Sequence, residues 1–459
     1  MTDLRDDATF DALRSLLAGD LLSPRTPGYD DARTVFNAMI DRSPALIVQC
    51  ENRTDVALAL AFAREHGLEI AVRGGGHSVA GLALTDGLVV DLRRMNDVVV
   101  DPVARTATVG GGAVMADLDR ACAPHGLATT GGRVSTTGIG GFVLGGGTGW
   151  FDRLFGLACD NLLEAEVVTA DGEIVLAAAD SHPELFWALH GGGGNFGVVT
   201  SMVLRLHALM ASTFALLLWP PERGPEVVRT FRDVVQAGPD ELGGGAVYLT
   251  GPEGEDFVPD HLVGRLALAI VLVYAGTEAE LRRVAAPLFD AAPEGRFVAE
   301  LPYDQVQSAM DDPPGYRNYW SAEHLDDLPD EAVDAFCARA ADMLVPSASQ
   351  HVLFTMGGAI GRGPEDYPVP WRHAAWVVHP FGLWTDPADD ERAIRWTREV
   401  RAAVRPWSTG DVYLNFIGDE GRDRVVSGFG DDGYSRLAAV KARYDPHNVF
   451  HRNHNVRPE

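Results

Sequence analysis

Cysteine is scarce, basic charge is in deficit, and no long apolar run interrupts the 459-residue chain. The four cysteines, Cys50, Cys122, Cys159 and Cys337, lie far apart and form no CxxC pair, which argues against a zinc ribbon or a disulfide scaffold and fits reduced core thiols. Lys and Arg number 38 against 65 Asp and Glu, a formal net charge of −27. Such a surface repels phosphate backbones and anionic lipid, so neither nucleic acid nor a membrane is an expected partner. No stretch approaches the roughly 20 apolar residues that cross a bilayer, and the aspartate-rich start MTDLRDDATFDALRSLLAGD lacks the core of a secretory signal. The expected location is the cytoplasm. Several catalytic signatures are also missing: no glycine cluster ends in the GK[ST] of a P-loop, and there is no GxSxG or HExxH.

What is present is apolar substance and glycine. Apolar residues make up 46% of the chain, enough for two or three domains at roughly 100–200 residues each. From Ala45 the pattern reads strand (ALIVQC), helix (TDVALALAFAREHG, with Asn52 and Asp55 as capping candidates) and strand (LEIAVRGGGHS). Short β runs follow at GLVVDL, DVVVD and TATVGGG, and EAEVVTADGEIVLA reads as a hairpin turning at Asp171–Gly172. The segment from Thr129 to Gly149 is too glycine-rich for regular structure on this reading. Near residue 208 the texture changes to long strands (ALLLWP, GRLALAIVLVYAG, SQHVLFTMGGAIG, HAAWVVHPFGLW) alternating with amphipathic helices, the pattern of an α+β fold with an antiparallel sheet.

Three glycine clusters fall in the first half: RGGGHSVAG (Arg73–Gly81), STTGIGGFVLGGGTGW (Ser135–Trp150) and HGGGGNFGVVT (His190–Thr200). Successive residues without side chains let backbone N–H groups converge on phosphate oxygens. One such loop is weak evidence, but three point to a long ligand threaded along backbone, such as a dinucleotide. A Rossmann site needs its glycines in the turn leading into a helix. Here the loop after Val72 runs into VAGLALTDG instead, so NAD falls behind FAD.

These loops, with FGLACDN, ELFWALHGGGGNFGVVT, YLNF and the terminal RYDPHNVFHRN, resemble the FAD-linked oxidases of the vanillyl-alcohol oxidase superfamily, in its berberine bridge enzyme-like branch. The resemblance runs from about residue 35 to the C-terminus. It implies an α+β protein with an FAD-binding domain over 1–207, a substrate domain over 208–414 and a C-terminal segment, 415–459, returning to the FAD domain. It implies FAD bonded covalently to His77, a link that raises the redox potential and favours taking hydride from difficult donors. Many relatives add a second link through the cysteine of a GxCxxVG run. In Gly132–Gly138 here, Val134 takes that place, so a single link is expected. Thr137 stands where a small residue accompanies reaction with oxygen. By the same resemblance Arg73, Gly74, Gly75, Gly76 and Ser78 hold the pyrophosphate, and Gly138, Gly140, Gly141 and Gly145 line the flavin and its phosphates. Asp160 and Asn161 lie beside the cofactor, Gly197 and Val199 meet the adenine end, and Asn448 closes the site.

Hydride abstraction from an alcohol or amine needs a group to manage the O–H or N–H proton. The resemblance puts Tyr413 there, with Asn415 beside it. A phenol of pKa about 10 is a poor base unless a cation or the flavin assists it. Candidate substrate contacts are Tyr319 and Trp320 in YRNYWSAEH, and Arg372, Trp376 and His379 in WRHAAWVVHPFGLW, where strand alternation places Arg372 and Trp376 on one side. His447, His451 and His454 would share a helix face, but Pro446 argues against that helix, and no metal is expected. The expected reaction is oxidation of an alcohol, sugar, amine or secondary metabolite, with hydride passing to flavin N5 and molecular oxygen reduced to peroxide. A dehydrogenase with another acceptor and a flavin-bearing drug-binding protein are the rivals. An oligomer is compatible with the sequence.

Overall fold

The computed structural model describes residues 7–459 and builds them around three large sheets and a two-stranded pair, Leu127–Ala128 with His207–Ala208. In the first, Leu46–Gln49, Leu88–Asp91 and Ile70–Arg73 run parallel, with Asp20–Leu22 added antiparallel at one edge. The crossover helix, Arg53–Glu65, begins where the Asn52 side chain accepts hydrogen bonds from the N–H groups of Thr54 and Asp55, at 2.8 and 3.1 Å. It buries Val56, Ala59, Leu60 and Ala63, an i, i+3, i+4, i+7 stripe, against the sheet. Asp55 is not a cap as expected: its carboxylate accepts from the N–H groups of Ala18, Gly19 and Glu51 and so ties the N-terminal strand down.

The second sheet is antiparallel, in the order Val98–Asp101, Thr106–Gly110, Val198–Arg205, Leu162–Val168, Ile174–Ala178, and its last two strands form the expected hairpin. The third has eight antiparallel strands between Thr213 and Trp384. Helices Gly224–Ala237, Asp330–Ala338 and Asp390–Val404 cover one of its faces, and the other turns toward the first half of the chain.

One expectation fails here, and one element was not foreseen. The run Thr129–Gly149 contains a short helix, Ile139–Leu144, despite Gly140 and Gly141 within it. Packing selects the glycine: a Cβ on Gly140 would lie 3.0 Å from the Gly111 carbonyl. A central strand, Leu242–Thr250, also escapes sequence reading because it opens Leu-Gly-Gly-Gly. Its glycines serve close approach, since a Cβ on Gly243 would lie 2.5 Å from the Trp150 carbonyl oxygen. The glycine-rich loop of the first half therefore rests directly on the large sheet.

The C-terminal segment is locked by one buried ion pair. Lys441 donates to Asp445 at 2.7 Å and to the carbonyls of Asn195 and Phe450, while Asp445 also accepts from the N–H groups of Val449 and Phe450. Both side chains have no exposed surface. Lys441→Met leaves the carboxylate buried without its cation. Breaking such a pair costs about 3–5 kcal/mol, which thermal unfolding of the variant should register. A loss below about 1 kcal/mol would contradict this account of the lock.

Candidate active site

The glycine loops of the first half, the helix-free face of the large sheet and the C-terminal residues enclose one cavity of about 360 Å³, within the range of small-molecule and cofactor sites. The strand Ile70–Arg73 delivers Gly74–Ser78 into its wall. Among the described residues, no acceptor meets the backbone N–H groups of Gly74, Gly75, Gly76, His77 or Ser78. A row of free donors of this kind is an anion-binding nest. Gly138 packs on the same loop, where a Cβ on Gly75 would come within 2.3 Å of the Gly138 nitrogen. Gly141 and Gly194 differ: both line the cavity at negative φ, and a Cβ on either would meet no protein atom within 4 Å. Protein packing does not require glycine at these two positions. Their bare backbone leaves room for a ligand to lie flat against the wall.

His77 leaves the nest with its ring stacked on Phe36, centroids 4.1 Å apart at 21°. Its Nε2 shares a 2.8 Å hydrogen bond with Thr136 Oγ1, and burial pulls its pKa down to about 4. The imidazole is therefore neutral at physiological pH, and among the described residues no hydrogen-bond partner meets its Nδ1. Val134 lines the cavity and none of the four cysteines does.

At the other end, Tyr413 is almost wholly buried and accepts a 2.9 Å hydrogen bond from Asn415 Nδ2. Burial raises its pKa above the usual phenol value, while Asn415, the Gly147 N–H and the Arg133 guanidinium pull the other way and do not prevail. The phenol is protonated at rest. Arg133 lies over the Phe354 ring at 4.0 Å, donates to Thr148 Oγ1 and the Gly149 carbonyl, and sits 3.5 Å from Asp152. His379 stacks on Phe416 at 4.2 Å, and its Nδ1 lies 2.9 Å from the Ser321 carbonyl, which assigns the ring proton to Nδ1 and leaves Nε2 as an acceptor. Burial lowers its pKa to about 4. Trp320 and Phe381, 4.3 Å apart, complete an aromatic wall.

Residues 44–178 match the FAD binding domain family, and residues 412–457 match the berberine and berberine-like family. (R)-6-hydroxynicotine oxidase of Paenarthrobacter nicotinovorans is 30% identical over 96% of this chain and 97% of its own length. The chain belongs to the berberine bridge enzyme-like FAD-linked oxidoreductases. An FAD-linked oxidoreductase of Bacillus subtilis is 28% identical over 97% of the chain and 98% of its own length. The solved 6-hydroxy-D-nicotine oxidase of Arthrobacter nicotinovorans superposes with a TM-score of 0.85 at 29% identity, covering 96% of this chain and 98% of that one. Berberine bridge enzyme itself, at 19% identity, shares the fold with a TM-score of 0.85 over 99% of this chain and 100% of its own. The free N–H row and the open glycines fit the FAD that this family binds.

Within this family frame, the structure sorts the sequence candidates. Gly74–Ser78, Thr137, Gly138, Gly140, Gly141, Gly145, Gly197, Val199, Trp320, His379, Tyr413 and Asn415 all reach the cavity wall. Others do not. The Arg73 guanidinium points away from the nest and donates to the carbonyls of Ala32 and Thr34, so it pins the segment that carries Phe36 rather than a pyrophosphate. Arg372 is buried in an ion pair with Asp160 at 2.9 Å. Pro370–His373 is a 3₁₀ turn and strand alternation begins only at Trp376, which points into the helix-covered core. Asn161 braces the Phe155 and Leu157 carbonyls, and Tyr319 lies against Arg398 outside the cavity. Asn448 adopts φ 51 to turn the chain, and Phe450, Arg452, Asn453 and His454 take the wall in its place. Sequence reading missed Arg133, Phe354 and Asp312. Arg133 sits inside the quoted GRVSTTG run, so a charge in an otherwise small and hydroxylic loop was the available signal.

Proposed function

We propose that this enzyme holds FAD through a single bond to His77 and works as an oxidase on a small organic substrate bound against the aromatic wall. The observation that carries this reading is convergence: His77, the phosphate nest, Tyr413 with Asn415, and the aromatic side chains of the large sheet share one cavity. Bound FAD supplies a two-electron acceptor that takes hydride from the substrate carbon and yields hydrogen peroxide with molecular oxygen. The protein's part is positional. The nest of Gly74–Ser78 and the open faces of Gly141 and Gly194 seat the cofactor. Trp320, Phe354, Phe381 and Phe416 exclude water and orient an apolar body, and Tyr413 presents its O–H to the substrate heteroatom. Relatives named as oxidases support oxygen as the acceptor.

Thr137 tests the oxygen step separately. Its side chain lines the cavity, while its backbone N–H and C=O are already engaged with Val134 and Met115. Thr137→Leu therefore adds bulk on the cavity side without removing a backbone bond. The added bulk obstructs oxygen at the cavity wall, so reoxidation of the reduced enzyme should slow roughly tenfold, equivalent to about 1.4 kcal/mol of barrier. Anaerobic reduction by substrate should change little. Stopped-flow comparison of the two half-reactions decides the matter, and equal slowing of both would remove Thr137 from the oxygen path.

A further inference from the structure

The substrate end of the cavity carries one carboxylate that, among the described residues, meets no cation. Asp312 lines the wall with Trp320, Gln350 and Phe381, and among the described residues its only side-chain partner is Gln350, whose Nε2 donates to Oδ1 at 3.0 Å. Neighbouring Asp311 is committed elsewhere, accepting from the N–H and hydroxyl of Ser135, and this anchors the loop to the GRVSTTG run. The basic groups of the cavity are all spent. Arg133 is engaged by Asp152, Thr148 and the Gly149 carbonyl. Arg452 donates to the Gly81 and Leu84 carbonyls. His77, His379 and His454 are held neutral by burial, each lowered to about 4. No ion pair to Asp312 exists among the described residues. Burial, reinforced by the charge of Asp311, pushes its carboxyl up to about 7. A carboxylate in such a place gains from any cation that enters.

Aromatic faces beside a carboxylate recognise one ligand chemistry well, a protonated or quaternary nitrogen on an apolar body. We propose that Asp312 is the anchor for a cationic substrate nitrogen, so that the enzyme's substrates are amines. This inference rests on the oxidase reading above for the identity of the cavity as the substrate site. It requires nothing of the oxygen step.

The test compares two probes of similar size, benzylamine and benzyl alcohol, at pH 8, where the amine is charged and the Asp312 carboxyl is largely ionised. Binding is read anaerobically from the perturbation of the oxidised flavin spectrum immediately after mixing, so it is independent of turnover and of peroxide formation. Wild type should bind the amine roughly tenfold or more tightly than the alcohol. Asp312→Asn should abolish that preference with alcohol binding and melting temperature unchanged, and Asp312→Glu should retain it. Equal affinity for the two probes, no response to benzylamine, or a preference that survives Asp312→Asn overturns the proposal. Each of these outcomes leaves the oxidase reading intact. Absent peroxide formation with every reducing substrate would sink the oxidase reading while leaving an Asp312-dependent amine preference standing.

Discussion

Tyr413→Phe should slow anaerobic reduction by substrate roughly 10²–10⁴-fold, the usual worth of a positioned acid–base group, while substrate binding weakens by only about 0.5–1.5 kcal/mol for one lost hydrogen bond. The change removes one oxygen and keeps the ring, which packs against Trp371 at 4.7 Å and edge-on to Phe416 at 4.7 Å. Packing is thereby preserved, and the effect isolates the hydroxyl. Because that hydroxyl accepts from Asn415 and Gly147, its O–H is free to hold the substrate heteroatom in the resting complex. Burial keeps the phenol protonated across the neutral range, so the wild-type rate should show no break between pH 6 and 9 from this group. Hydride loss also frees the substrate's O–H or N–H proton, which only the phenolate form can take, and the two donors and Arg133 lower the cost of forming it. A stable Phe variant that reduces within a few-fold of wild type would move the proton role to the Nε2 of His379, or show that the substrate arrives already neutral.

His77→Ala should free the flavin completely on denaturation and slow hydride abstraction about tenfold or more. The first effect follows from losing the nitrogen proposed above to carry the flavin. The second follows from the lower potential of an unlinked flavin, where each tenfold in rate corresponds to about 1.4 kcal/mol of barrier. The substitution also removes the ring that stacks on Phe36 and leaves Thr136 without its partner, so looser cofactor binding should accompany it. Added FAD should then restore part of the activity in the variant and none in wild type. A variant whose flavin stays with the unfolded chain would assign the bond to another residue.

The sequence was informative where chemistry is local and silent where it is made by convergence. The RGGGHS loop, the hairpin at Asp171–Gly172 and the capped helix from Arg53 are legible because short spacings determine them. The residues at the proposed substrate end of the cavity are drawn from a loop near 133, a loop near 312 and strands near 350 and 379, and no periodicity links those positions. Arg372 and Trp376 were misplaced because alternation was extended through a 3₁₀ turn. The strand at Leu242 was hidden because its glycines answer to the Trp150 loop rather than to β propensity. Arg73 was misread for a subtler reason: its position in the motif is real, but its side chain turns back to the Ala32 and Thr34 carbonyls.

The most direct test of the account is the mass of the acid-denatured wild-type chain, followed by mapping of its flavin-bearing peptide. The account predicts a chain heavier by one FAD, a yellow precipitate, a colourless supernatant, and the flavin on the peptide containing His77. A chain of unmodified mass with all the flavin in the supernatant would contradict it.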